Sequence, residues 1–180
     1  MINISRALAI DGFMGEAELL WLAEQATTHE CIAEIGSWKG RSTHALSDNT
    51  SGEVYAIDTW KGTVNEPIHA IEFVGKPDDW LLKEFQNNVS DLSNVHIVQA
   101  LSVDAAKKLS NIRFDMVFID AGHTYEDVKS DILAWNPLVI KGGLLSGHDY
   151  ISDWPEVIKA VDELIPNRVI VADRCWYLEK

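Results

Sequence analysis

Short runs of β-branched and aromatic residues alternate with longer stretches of helical period along most of this chain, and few architectures accept that order. Two strands joined through a helix run parallel, because such a crossover needs a dozen residues or more. Cys31–Ile35, Val54–Ile57, Val95–Val98, Phe114–Ile119 and Leu144–Leu145 read as strands. Gly15–Thr27, Arg41–Asp48, Asp79–Val89, Val103–Leu109, Tyr125–Trp135 and Pro155–Ile165 read as helices. Phe114–Ile119 is nearly all apolar, as a strand covered on both faces should be. Lys141-Gly142-Gly143 reads as a turn. The last two β runs, Val169–Val171 and Trp176–Leu178, lie too close for a helical crossover and must pair as a hairpin. The expected fold is α/β: a doubly wound, mostly parallel sheet of seven strands with a C-terminal antiparallel hairpin.

With 180 residues and no internal repeat, the chain is expected to form one domain over residues 1–180. Acidic residues outnumber basic ones 28 to 15, a formal charge of −13. Such a surface repels phosphate backbones and anionic lipid, which argues against nucleic-acid and membrane partners. No apolar run approaches the ~18 residues of a membrane span, and Met1–Phe13 lacks the apolar centre of a secretory signal. Cys31 and Cys175, each within an apolar run, suit buried reduced thiols. A cytoplasmic location is the expectation.

In wound parallel sheets, ligands bind beyond the carboxyl ends of the strands, where strand order reverses. The first strand runs into Glu34-Ile35-Gly36-Ser37-Trp38-Lys39-Gly40-Arg41-Ser42. Gly36 lets the backbone turn toward a ligand, and Gly40 opens a helix whose first amides favour an anionic group. The second strand ends at Asp58, 22 residues beyond Gly36. An acid at that distance can accept hydrogen bonds from both ribose hydroxyls of a nucleoside. The motif departs from the dinucleotide fingerprint, because Trp38 stands where G-x-G-x-x-G has its second glycine. Its bulk blocks close approach of a pyrophosphate, so a nucleoside with a short zwitterionic tail fits better than NAD.

These residues resemble the class I S-adenosylmethionine-dependent methyltransferases, and within them the small-molecule O-methyltransferases of the catechol and macrocin type. The resemblance spans roughly Cys31 to Leu178 and implies a Rossmann-like methyltransferase fold, closing hairpin included. It implies that Glu34, Gly36, Trp38, Gly40 and Ser42 form the loop for the methionine part of the cofactor, with Ser42 on the carboxylate. By the same resemblance Asp58 holds the ribose, and Ser102 in Ala100-Leu101-Ser102 sits beside the adenine. Asp120, at the end of Phe114–Ile119, faces the active centre.

Adjacent strands would bring Asp120, His123, His148 and Asp149 to one rim. Metal-dependent members of the resembled family hold Mg²⁺ at the equivalent places, which carries over to Asp120, His148 and Asp149. Imidazole suits Mn²⁺ or Zn²⁺ better than Mg²⁺, so either the divalent metal differs or His148 is a catalytic base without one. Gly122 stands where some macrocin-type relatives carry an acidic base, and His123 beside it is placed to take that role. Thr59–Asp78 is long for a connection in a compact domain. Its residues 65–77, between Trp60 and Trp80, read as a mobile cover over the acceptor. Trp60, Trp80 and Trp154 read as packing residues, with acceptor-pocket walls the alternative, and Trp21, Trp135 and Trp176 as core.

Three functions follow. Methyl transfer from S-adenosylmethionine to a hydroxyl of a small-molecule acceptor, with or without metal assistance, leads. A cofactor-binding module without transferase activity, acting in an assembly, comes second, because only about 30 residues precede the first strand, where relatives carry covering helices. An NAD-dependent oxidoreductase comes third, disfavoured by Trp38. The acceptor's identity and a homo-oligomeric state stay open.

Overall fold

Side chains alternate across a strand, so the central strands, hidden on both faces, divide the core in two. A computed structural model describes residues 1–63 and 71–180. Its strands are β1 (Cys31–Ile35), β2 (Glu53–Asp58), β3 (Val95–Gln99), β4 (Phe114–Ile119), β5 (Val139–Gly147), β6 (Val169–Val171) and β7 (Cys175–Glu179). They form one sheet in the order β3-β2-β1-β4-β5-β7-β6. β1 through β5 pair in parallel, and β7 runs antiparallel to both β5 and β6. The doubly wound sheet with its closing hairpin is the architecture expected from the sequence.

On one face lie α1 (Ser5–Ala9), α2 (Glu16–Ala26) and α3 (Arg41–Ser47), packed on Ile32, Met116 and Phe118. On the other lie α5 (Ser102–Lys108), α6 (Tyr125–Trp135) and α7 (Pro155–Leu164), packed on Ala33, Ile35, Val117 and Ile119. α4 (Trp80–Asn88) covers a smaller cluster around Ala56, Trp60 and Phe85. Trp60 is therefore packing, fully buried with its ring 4.8 Å from that of Phe85. Trp21, Trp135 and Trp176 are core, as expected. Thr124 caps α6 by accepting the Asp127 N–H at 3.2 Å, and Pro155 occupies the first turn of α7, where no helical hydrogen bond is lost.

Two elements differ from the sequence reading. Lys141-Gly142-Gly143 is not a turn but part of β5, where the register against β4 shifts between Phe114 and Met116. Gly142 takes φ 78° there, and its N–H donates to the Lys180 carbonyl. Glycine inside a strand marks such a bulge as readily as a turn. α1 is the second addition, a single short helix seated on α3 through buried Ala7. Among the described residues no helix is long and apolar enough to cross a membrane.

Candidate active site

Strand order reverses between β1 and β4, whose neighbours lie on opposite sides, and the crevice opens at their carboxyl ends. Gly36 makes the crossing possible. At φ 93° it lies so close to the end of β4 that a Cβ would stand 1.9 Å from the Asp120 carbonyl oxygen. The next loop is held by Asp58, whose Oδ2 accepts the Trp38 N–H at 2.9 Å and whose Oδ1 accepts the Trp60 N–H at 2.7 Å. Both tryptophans have left-handed backbones, φ 48° and 52°, which bulky residues adopt only under constraint. Trp60 Nε1 returns a hydrogen bond to the Trp38 carbonyl at 2.9 Å.

Glu34, on the β1 face that meets α3, is fully buried. Thr43 Oγ1 donates to its Oε2 at 2.5 Å, and the hydroxyls of Ser37 and Ser42 lie close by. Burial pushes its carboxyl above the ordinary range, against the pull of those hydroxyls. Glu34 Oε1 and Ser37 Oγ are buried with no hydrogen-bond partner among the described residues. Gly40, at φ 94°, caps α3. Ser102 opens α5, where its Oγ accepts from Trp135 Nε1 at 2.9 Å and bonds the buried Asp131. Ser102, expected beside the adenine, is thus tied into α6.

The rim beyond β4 and β5 gathers the ionisable groups. Asp149 turns back at φ 60°, and its Oδ2 accepts from His123 Nε2 at 2.8 Å. That bond places a proton on His123 Nε2. Trp154 stacks on the His123 ring at 4.1 Å. His148 is buried, with Nε2 bonded to Glu18 Oε1 at 2.9 Å and Nδ1 facing Asp149 Oδ1 at 3.2 Å and Asp120 Oδ1 at 3.4 Å. Since both nitrogens face carboxylate oxygens, both donate and the ring is an imidazolium. Burial opposes that charge, but Asp120, Asp149 and Glu18 outweigh it and raise the His148 pKa. Burial also works against Asp149, yet the His123 and His148 donors hold it below the usual carboxylate range. For Asp120 burial wins over His148, and its carboxyl is held above that range. The two acids are pushed apart, a pattern that separates proton-holding from charge-holding roles.

The structure brings Asp120, His123, His148 and Asp149 to one cleft, with Gly122 and Trp176 in its walls. The donor atoms that converge are those of Asp120, His123 and Asp149, all within 4.8 Å of one another. His123 stands in that set where the sequence reading had placed His148, whose nitrogens are already engaged. Gly122 has no room for an acidic side chain, because a Cβ there would meet Asp127 Oδ2 at 2.7 Å. Of the expected cover, residues 65–70 lie outside the described residues. Phe73 packs edge-on against Trp80 at 5.4 Å, and Trp38 lies 6.4 Å from Phe73.

Sequence reasoning passed over three charged residues that tie the N-terminal segment across this site. Lys39 Nζ bonds Asp11 at 2.7 Å and Glu72 at 3.1 Å. Arg41 donates to the carbonyls of Met14 and Ile10 at 2.9 and 2.5 Å. Glu18 reaches His148. Lys39 and Arg41 stand inside the loop motif, which was the available signal.

Residues 33–150, about two thirds of the chain, match the family model of a methyltransferase domain. No curated protein matches the sequence. Among solved structures, the O-methyltransferase from Bacillus cereus in complex with SAH is 16% identical with a TM-score of 0.69, covering 97% of this chain and 87% of that one. The O-methyltransferase NovP is 18% identical with a TM-score of 0.65, over 91% of this chain and 79% of its own. CalS11, a TDP-rhamnose 3'-O-methyltransferase of calicheamicin biosynthesis, is 14% identical with a TM-score of 0.61, over 90% and 76%. At these identities the likeness speaks for the fold, which is the class I methyltransferase fold. Together with the family match it makes the chain a member of the methyltransferase domain family.

Proposed function

We propose that the protein transfers the methyl group of S-adenosylmethionine to a hydroxyl of a small molecule, with His123 as the base. The observation that carries this reading is the Asp149–His123 pair beyond the ends of β4 and β5, next to the strand-order reversal. It holds an imidazole against a carboxylate in the cleft that Asp120 borders, where a methyl acceptor would lie. The sulfonium makes the methyl group electrophilic, so the protein's task is to align an oxygen and take its proton. The residues fit the cofactor. Asp58 ends β2 with a carboxylate of the kind that accepts from a ribose diol, and Glu34 and Ser37 place buried polar atoms in the loop that the resemblance gives to the methionine part. Asp120, the acid with the raised pKa, borders the same cleft.

The donor set also fits a divalent cation. Asp120, His123 and Asp149 offer two carboxylates and one imidazole, which suits Mn²⁺ or Zn²⁺ better than Mg²⁺. A cation held there would lower the pKa of an acceptor hydroxyl. The reading takes the chain as one domain acting on a small molecule, in keeping with its charge of −13.

Calorimetry with S-adenosylhomocysteine, followed by labelled-methyl transfer to a panel of phenols and sugars, tests the reading. Stoichiometric binding and label in an oxygen ether are expected. Absence of binding would overturn it, and binding without transfer to any acceptor would favour the cofactor-binding module. Dialysis against a chelator with add-back of Mg²⁺, Mn²⁺ and Zn²⁺ decides the metal, since full activity after chelation ends that version.

A further inference from the structure

α2 carries a buried acid that the methyl-transfer reading does not use. Glu18 is only 5% exposed, on a helix that otherwise turns Leu19, Leu22, Ala23 and Ala26 to the core. A carboxylate in such a place is costly unless its oxygens are satisfied. Here both are. Oε2 accepts the Gly15 N–H at the head of α2, while Oε1 accepts from His148 Nε2 at 2.9 Å, with Arg174 Nε 3.0 Å away. The other edge of the His148 ring faces Asp149 Oδ1 at 3.2 Å and Asp120 Oδ1 at 3.4 Å. Asp149 Oδ2 in turn accepts from His123 Nε2 at 2.8 Å. A line of contacts therefore runs from an N-terminal helix, across 130 residues of sequence, to the imidazole assigned as base.

An imidazole turns about its bond to Cβ unless both edges are held. With Nε2 fixed by Glu18, Nδ1 stays against the two aspartates. That in turn leaves Asp149 one oxygen for His148 and the other for His123. We infer that Glu18 is a positioning residue, whose reach sets the His148 ring and through it the carboxylates of Asp120 and Asp149. The catalytic consequence rests on the proposed function, whereas the arrangement itself does not.

Two variants separate reach from charge. Glu18→Gln keeps one acceptor oxygen in reach of His148, gives up the acceptor for the Gly15 N–H and removes the charge, while Glu18→Asp keeps the charge and withdraws both oxygens by one methylene. Ring signals of His123 and His148 are read in ¹⁵N-histidine-labelled free protein, with circular dichroism as the check on folding. Steady-state methyl transfer supplies kcat and KM. Glu18→Gln is expected to keep both sets of ring signals, with kcat within about threefold of wild type. Glu18→Asp is expected to shift both sets and to lower kcat by about tenfold or more, leaving the affinity for S-adenosylhomocysteine unchanged. A folded Glu18→Asp protein with wild-type His123 signals overturns the inference, and so do two variants displaced equally. If the wild-type protein transfers no methyl group, the proposed function fails and the ring signals alone decide this inference.

Discussion

Asp58 serves two ends with one carboxylate. Its oxygens hold the N–H groups of Trp38 and Trp60, whose left-handed backbones each cost roughly 1–3 kcal/mol, and the proposed function gives it the ribose as well. Asp58→Ala should therefore weaken S-adenosylmethionine binding by about 1.5–3 kcal/mol, the worth of hydrogen bonds to a charged group. Calorimetry reads this directly, and an unchanged Kd removes Asp58 from the cofactor site. At the rim, His123→Ala should cost about 10²–10⁴ in kcat, the range of general-base catalysis, while cofactor affinity stays within a factor of two or so. A rate that survives the substitution would hand the proton to another group. Asp58, Asp120 and His123 were legible in the sequence because strand ends and spacing announce them locally. Glu18 was not, since its partner His148 is 130 residues away and nothing local sets it apart from Glu16 and Glu24 on the same helix. The involvement of both His148 nitrogens was hidden for the same reason: three carboxylates from three elements meet only after folding.

The β1–α3 loop depends on a missing side chain more than on any contact. A Cβ on Gly36 would lie 1.9 Å from the Asp120 oxygen, in a backbone region that other residues enter at a cost. Gly36→Ala should destabilise the fold by about 3 kcal/mol through overpacking and strain, lowering Tm by roughly 6–12 °C in a chain of this size. Thermal unfolding checks it, and a variant that melts with the wild-type protein would show that β1 and β4 separate freely there. The sequence reading took this glycine as freedom to approach a ligand, and the structure adds that a side chain there would meet the backbone just past β4. Elements with a full period were legible: α2, α6, α7 and the apolar β4 all fall within a few residues of their expected bounds. α1 was not, because five residues fall short of a stable helical nucleus, and packing on α3 with the Arg6 ion pairs to Asp48 and Asp91 holds them. Nor was the length of β5, where two glycines spell a turn to local chemistry and a bulge to the sheet.

Over the whole molecule, buried acids pull the pH dependence of stability in opposite directions. Glu18 and Asp149 have lowered pKa values, because donors from His148, joined by His123 at Asp149, outweigh burial. Their contribution is present above the unfolded carboxylate pKa and is lost as pH falls through the folded values. Asp131 works the other way. Burial on the inner side of α6 raises it from 3.8 to about 6, with Ser102 pulling it down and Asp127 adding to the rise. Its native form keeps a proton that the unfolded chain has released, so its contribution is fully present below pH 3.8 and is lost as pH rises through about 6. A shift of that size corresponds to roughly 3 kcal/mol at neutral pH, as an upper figure. Asp131→Asn keeps an oxygen for the Ser102 hydroxyl and has no proton to lose. The variant should match the wild-type protein near pH 4 and exceed it by about 1–3 kcal/mol at pH 8. Urea unfolding at pH 4.5, 6 and 8 gives the comparison, in which titrations common to both proteins cancel. A difference that stays constant across those pH values would show that Asp131 does not titrate between the folded and unfolded states.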